Sequence, residues 1–432
     1  MTATTLENWS GAVRFAPRQI AAPSSTDEFA RLIASAREAG STVRPRGSMH
    51  SFTPLSETND VLVSLENFKG IDSVDTEKKT AWIKAGTNLF DMNPALHEMG
   101  LSMPNLGDID RQTLAGAIST GTHGTGATLG ALASFVTAIE FVAGTGELVR
   151  LTQDDDGDTF RAAVVNIGAL GIVTRYRLAL RDSYKLRAFK APMRFGEALE
   201  RMAEFNAQYR HFEFYWFPHT DRTQVKMQQE TNDAPTERGV WKFVDNVIVE
   251  NGLFGAILGV GALAPKTTPS MARLMGSAVS ASEEVGWSHK IFCTARYVRF
   301  QEMEYGVPAE NAAACLRAIE AYVRAEKPAV SFPIEVRFVR ADNLSLAPSF
   351  GRDNCFIAVH QFKGMAHTEY FRRMETILRD HGGRPHWGKM HTLEAKDLAP
   401  LYPEWNFFQA VRNQYDPRRV MSSPYLTRVL GK

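Results

Sequence analysis

Cysteine is scarce in this 432-residue chain: Cys293, Cys315 and Cys355 lie far apart, with no Cys-x-x-Cys pair. That excludes a disulfide scaffold and a cysteine-based zinc site, and it points to a reducing compartment. Charge of one sign is also lacking. Lys and Arg number 49 against 48 Asp and Glu, a formal net charge of +1. A bulk nucleic-acid binder would usually show a basic excess, so none is expected. Long hydrophobic runs are missing too. The most apolar stretch, Gly252 to Pro265, is rich in glycine and falls short of the roughly 20 residues a membrane span needs. It reads as a buried helix or loop. The opening MTATTLENWSGAVRF shows no basic region followed by an apolar one, so no signal peptide is expected. A cytoplasmic location follows, with peripheral membrane association as the alternative.

Several common signatures are absent as well. Gly383 to Lys389 matches G-x-x-x-x-G-K, but Met390 stands where a Ser or Thr would hold Mg²⁺, and Pro385 and Trp387 stiffen the loop. Gly124-Thr125-Gly126 is not completed to G-x-G-x-x-G, because Leu129 takes the last place. There is no H-E-x-x-H and no G-x-S-x-G. The eleven histidines show no metal-ligand spacing beyond His386 with His391, so no metal is expected.

What remains is an ordinary globular composition, 44% hydrophobic and 22% charged. At roughly 150 residues per domain the length suggests two or three domains. Asp27 to Ala39 has helical spacing, with Phe29, Leu32, Ile33 and Ala36 on one face and Gly40 as a stop. Strands are predicted at Thr42–Pro45, Val61–Leu65, Thr80–Ala85 and Ile172–Leu180. A helix is predicted over Asn88–Glu98, and a hairpin around Gly144-Thr145-Gly146. From about residue 185 longer alternating strands appear, such as Phe212–Phe217 and Ile334–Phe338. Helices Asn311–Ala325 and Glu369–Asp380 lie between and after them. The prediction is α+β throughout, divided into 1–182, 183–381 and a C-terminal segment 382–432.

Six segments carry polar groups in suggestive patterns. Pro45-Arg46-Gly47-Ser48-Met49-His50-Ser51-Phe52 ends a strand in small residues whose amides can converge on an anion. Gly107 to Gly126 (GDIDRQTLAGAISTGTHGTG) holds five glycines, a density that means close backbone approach to another segment or to a flat cofactor. Asn166 to Val173 is a glycine turn running into a strand. Glu335 and Arg337 share one strand face while Ile334, Val336 and Phe338 take the other. His360 lies on a strand, and His386-Trp387-Gly388-Lys389 forms an aromatic turn. Each alone reads as packing, capping or a structural ion pair before it reads as a site.

Together, and in this order, PRGSMHSF, GDIDRQTLAGAISTGTHGTG, GALGIV, FPIEVRF and RPHWGK resemble the aldonolactone oxidoreductases. These are vanillyl-alcohol-oxidase-like flavoproteins, and the resemblance spans essentially the whole chain to Tyr425-Leu426-Thr427-Arg428. It implies an FAD-binding domain of two α+β subdomains, a cap domain that faces the substrate, and a C-terminal segment that returns to the cleft. It implies FAD attached covalently through His50. Cofactor contacts would run through Arg46, Gly47, Ser48, Met49 and Ser51, then Gly107, Asp110, Thr113, Gly116, Ser119, Thr120, Gly121, His123 and Gly124. Gly171, Ile172 and Val173 would lie toward the adenine. The implied reaction is oxidation of a sugar-derived 1,4-lactone at the hydroxyl next to the carbonyl, with electrons passing to oxygen or to an acceptor such as a cytochrome or quinone. Arg337 and Lys389 match the family's active-site cations, Glu335 its substrate-orienting carboxylate, and His360 a substrate contact. Lys389 can act as a base only if a desolvated, cation-rich site lowers its pKa. An alditol or other carbohydrate oxidase is the alternative; where alditol-oxidising relatives carry a Ser, this sequence has Ala117.

Overall fold

The computed structural model describes residues 4–237, 264–293 and 298–432. Most of the apolar stretch at Gly252–Pro265 lies outside the described residues. Among the described residues no helix is long and apolar enough to cross a membrane.

The first part builds two main sheets, beside two-stranded pairings of Leu6–Glu7 with Arg14–Phe15 and of Leu101–Ser102 with Arg181–Asp182. A parallel sheet orders Gln19–Ala21, Val61–Ser64 and Val43–Arg46. The chain passes between its outer strands through helix Thr26–Glu38, whose start is capped by Ser25 Oγ accepting from Glu28 N–H at 3.3 Å. Phe29, Ile33 and Ala36 are its buried face. A five-stranded antiparallel sheet orders Leu148–Thr152, Val136–Ala143, Gly171–Ala179, Thr80–Lys84 and Ile71–Asp75. The Gly144 hairpin joins its first two strands. Short helices Leu89–Glu98, Leu114–Ser119 and Gly157–Val164 complete this part.

The second part is one antiparallel sheet of eight strands, beginning at Lys185. Its order is Ser282–Trp287, Lys185–Arg194, Arg222–Thr231, His211–Trp216, Ile334–Val339, Asn354–Phe362, Phe300–Pro308 and Arg384–Pro385. Period-two alternation splits its central strands into two faces. Phe212, Phe214, Val336, Phe338 and Ile357 take one face. The other carries Glu213, Tyr215, Glu335, Arg337 and His360, and it meets the first part: Arg337 Nη2 lies 3.1 Å from Asp108 Oδ2. Helices Ala312–Glu326 and Thr368–Asp380 bury Leu316, Ile319, Phe371 and Met374.

The C-terminal segment first adds the short strand Arg384–Pro385 to the large sheet and then crosses back. Val43 N–H donates to Val420 C=O at 2.7 Å, and Arg44, fully buried, donates to the carbonyls of Leu55, Ile167, Gly168 and Met421. One guanidinium thus ties an early strand, the glycine turn and the C-terminal segment together.

Candidate active site

A cleft with about 920 Å³ of space not occupied by protein atoms runs along the first part. That figure includes the solvent open to the cleft. Three of the predicted segments line it: Arg46 to Ser51, then Thr113, Gly116, Ser119 and Thr120, then Gly171 and Val173. The rest of the predicted cofactor set falls elsewhere. Ile172 is fully buried core. Gly107 and Gly124 pack backbone on backbone, a Cβ at Gly124 meeting Leu106 O at 2.2 Å. Gly121 rests against Pro348. Asp110 sits by Arg111, 3.4 Å away, and its carbonyl accepts from Phe90 N–H. His123 is buried on the large sheet, its Nε2 3.3 Å from Glu304.

The cleft's chemistry suits a flat, anionic cofactor. Arg46 Nε is buried there without a hydrogen-bond partner, a donor that an anionic group would satisfy. Gly47 is required locally: a Cβ there would lie 2.0 Å from Thr113 Oγ1. Thr113 in turn caps the helix Leu114–Ser119 by accepting from Gly116 N–H at 3.3 Å. The residue before His50, Met49, adopts a left-handed φ of 56°. The His50 ring stacks on Trp9, with centroids 5.7 Å apart. Burial, with the Lys389 and Arg111 charges, pushes His50 down to about 4. It is therefore neutral at physiological pH and keeps a lone pair, the form a nucleophile needs.

The aromatic turn is bound directly onto the His50 loop. Phe52 N–H donates to Gly388 C=O at 2.7 Å, Thr53 Oγ1 donates to Trp387 C=O at 3.0 Å, and Lys389 Nζ lies 5.0 Å over the Phe52 ring. Lys389 thereby points from the cofactor cleft toward the polar face of the sheet. Its Nζ is 2.5 Å from Glu302 Oε2. Burial alone would lower its pKa, but Glu302 and Glu304 outweigh that and raise it. The condition for a Lys389 base is thus not met: the site is rich in anions, and Lys389 is a held cation.

Arg337 occupies the same face two strands away. It pairs with Glu335, with Glu213 (3.0 Å) and with Asp108 (3.1 Å), and Lys226 Nζ approaches Glu213 at 2.8 Å. Tyr215 OH donates to Glu335 at 3.0 Å. Burial lowers the Arg337 pKa, the carboxylates more than reverse it, and the guanidinium stays charged. His360 lies 3.4 Å from Glu302 by Nε2, and its Nδ1 lies 3.1 Å from Pro333 O. The fold thus brings Glu335, Arg337, His360 and Lys389 onto one buried floor beside the His50 loop.

Sequence reasoning missed Asp108, Glu213, Tyr215, Lys226, Glu302 and Glu304, along with the role of Trp9. The signal for two of them was present: in Gln301-Glu302-Met303-Glu304-Tyr305 the acids are two apart, which on a strand puts both on one face.

Residues 176–429 match the family model described as D-arabinono-1,4-lactone oxidase, and residues 17–152 match an FAD binding domain. The chain belongs to the D-arabinono-1,4-lactone oxidase family. It is 37% identical to the L-gulono-1,4-lactone dehydrogenase of Mycobacterium tuberculosis, with 98% of each chain covered. It is 29% identical to the L-gulonolactone oxidase of Bos taurus, covering 98% of this chain and 97% of that one. A cholesterol oxidase from Brevibacterium sterolicum shares the fold, with a TM-score of 0.85 at 19% identity, covering 99% of this chain and 97% of the other. This member of the family is an oxidoreductase with an FAD-binding domain of the vanillyl-alcohol-oxidase type, as its sequence motifs implied.

Proposed function

We propose that the chain oxidises a sugar-derived 1,4-lactone of the L-gulono or D-arabinono type at the hydroxyl beside the carbonyl, with its FAD held covalently by His50. The observation that carries this reading is the placement of Arg337, buried, and Lys389, half-buried, two cations held by carboxylates, on the floor that abuts the His50 loop. FAD, when bound, supplies the hydride acceptor for the substrate carbon. Arg46 to Ser51, Thr113 to Thr120 and Gly171 with Val173 would hold it in the cleft they line. As hydride leaves the carbon, the substrate hydroxyl gives up its proton to solvent and negative charge develops on its oxygen. Preorganised cations answer that charge without reorganising at the moment of reaction. Glu335, fixed by Arg337 and Tyr215, accepts substrate hydroxyl groups and orients them. His360 borders the same floor and contacts the substrate from the next strand. Neutral His50 is the attachment point, its ring set against Trp9. Ala117, fully buried, offers no hydroxyl to a polyol, which favours the lactone over an alditol.

The test is direct. The purified chain, precipitated in acid, keeps its yellow colour in the pellet, while His50→Ala releases flavin to the supernatant. Flavin retained by denatured His50→Ala overturns the attachment. L-Gulono-1,4-lactone, turned over against xylitol as control, decides the substrate class, and peroxide formation during turnover reports whether oxygen takes the electrons.

A further inference from the structure

Among the described residues, His123, Glu304 and His386 form a buried cluster, with one ligand atom from each within 4.8 Å of the others. Two histidines and a carboxylate are a common set for a divalent metal. The hydrogen bonds argue for a different arrangement. His386 Nδ1 accepts from Gly388 N–H at 3.0 Å, so its lone pair is used and the ring proton sits on Nε2. A ring fixed this way has no lone pair left for a metal. His123 is the reverse case. Its Nδ1 lies 2.8 Å from the carbonyl oxygen of Gly124, and its Nε2 lies 3.3 Å from Glu304. Carbonyl and carboxylate oxygens only accept, so the ring satisfies both neighbours by carrying a proton on each nitrogen. A cation buried to 3% exposure needs a counter-ion, and Glu304 is that ion.

The consequence reaches Lys389. Glu302 and Glu304 are two apart on the strand Phe300–Pro308 and share its buried face. Among the described residues the cations facing this pair are Lys389 on Glu302 and His123 on Glu304, with His360 sharing Glu302. If the His123 charge is removed, Glu304 is left without a cation of its own and draws on Lys389, which Glu302 already holds. We propose that His123 is a positioning residue: as a buried imidazolium it neutralises Glu304 and leaves Lys389 to Glu302 and the substrate side. It also fastens the glycine-rich segment 107–126, which borders the cofactor cleft, to the strand that sets Lys389. The proposal rests on the reading of Lys389 as a cation of the reacting site.

Three measurements on the holoenzyme test it. Protein labelled with ¹⁵N-histidine should show the His123 ring, identified by the signals lost in His123→Asn, with both nitrogens protonated at neutral pH. A single N–H on that ring overturns the proposal. In turnover, His123→Asn should lower kcat by about tenfold or more with little change in KM, and the double variant His123→Asn/Glu304→Gln should restore most of it, because the stranded anion goes with its cation. Losses that simply add overturn the proposal. Metal analysis supplies the third arm: a stoichiometric divalent ion present in the purified protein and absent from His123→Asn overturns it in favour of a metal site. A protein that turns over no aldonolactone would fail the functional reading, whereas the ring-proton signal judges the His123 charge independently of turnover.

Discussion

At the scale of single residues, this site works by pairing charges that burial would otherwise extinguish. Lys389 and Arg337 stay charged because Glu302, Glu304, Glu335, Glu213 and Asp108 surround them, and Glu302, Glu304 and Glu213 are held below the usual carboxylate range in return. Removing one partner therefore has two effects. Lys389→Met should lower kcat about 10²–10³-fold, the usual cost of one preorganised donor to a developing oxyanion. It should also lower Tm, because Glu302 is left buried without its counter-ion. Lys389→Arg keeps the ion pair, so it should recover most of the Tm while recovering little of the rate. Steady-state kinetics with calorimetry on both variants separates the two effects, and a loss under tenfold in Lys389→Met would remove Lys389 from the reacting site. Arg337 and Lys389 were legible in the sequence only because the motifs that hold them, neither specific alone, occur together and in order with the others. Glu302 and Glu304 were not, because alternating acids also describe a solvated strand face. Only the sheet shows that their neighbours are His360, Lys389 and a histidine from the other domain.

At the scale of elements, the short helix Leu114–Ser119 and the loop Arg46–Ser51 are built as one unit. At its start Leu114 N–H donates to Thr87 C=O and Ala115 N–H to Ala85 C=O, and the Thr113 side chain accepts from Gly116 N–H. The same Thr113 side chain fills the space where residue 47 would carry a Cβ. Gly47→Ala should therefore displace Thr113, uncap the helix at a cost of about 1 kcal/mol, and open the cleft wall, before any strain in the loop is counted. The expected result is a lower Tm and much reduced flavin content, read as the ratio of visible to ultraviolet absorbance. Unchanged flavin content would mean that the loop moves freely from the helix. The helix Leu114–Ser119 was legible only as part of a glycine-rich segment, while other elements were more readable. The periodicity of Asp27–Ala39, the Gly144 hairpin and the alternation of Ile334–Phe338 each recur in the structure within one or two residues. The sheet order was not readable: Phe300–Pro308 pairs with Asn354–Phe362 and with Arg384–Pro385, and nothing local encodes those partners.

At the scale of the whole molecule, the near-zero net charge conceals an interior crowded with ionisable groups, and its response to pH follows from their burial. Desolvation pushes His211, His386 and His391 down to about 3 and His289 to about 4, against an unfolded value near 6.5. A folded pKa below the unfolded one means that the unfolded chain binds the proton first as pH falls. Stability is then level above about pH 6.5 and declines below it, each such histidine contributing up to about 1.4 kcal/mol per pH unit. The buried carboxylates act in the same direction lower down. Glu302 and Glu304 are held below the usual carboxylate range, so their contribution is present above about pH 4.5 and lost as pH falls past it. The two windows overlap into one long acid slope. Calorimetry of the holoenzyme should give a Tm that is steady from pH 8 to 7 and clearly lower at pH 5, well before the carboxylates titrate. His211→Gln should flatten part of that slope, since its Nδ1 donates to Thr125 C=O at 2.7 Å and its Nε2 is buried without a partner. A Tm that holds or rises from pH 7 to 5 would mean that these histidines reach water in the native state. The interior would then be more open than the packing of Arg44, the glycine turn and the C-terminal segment allows.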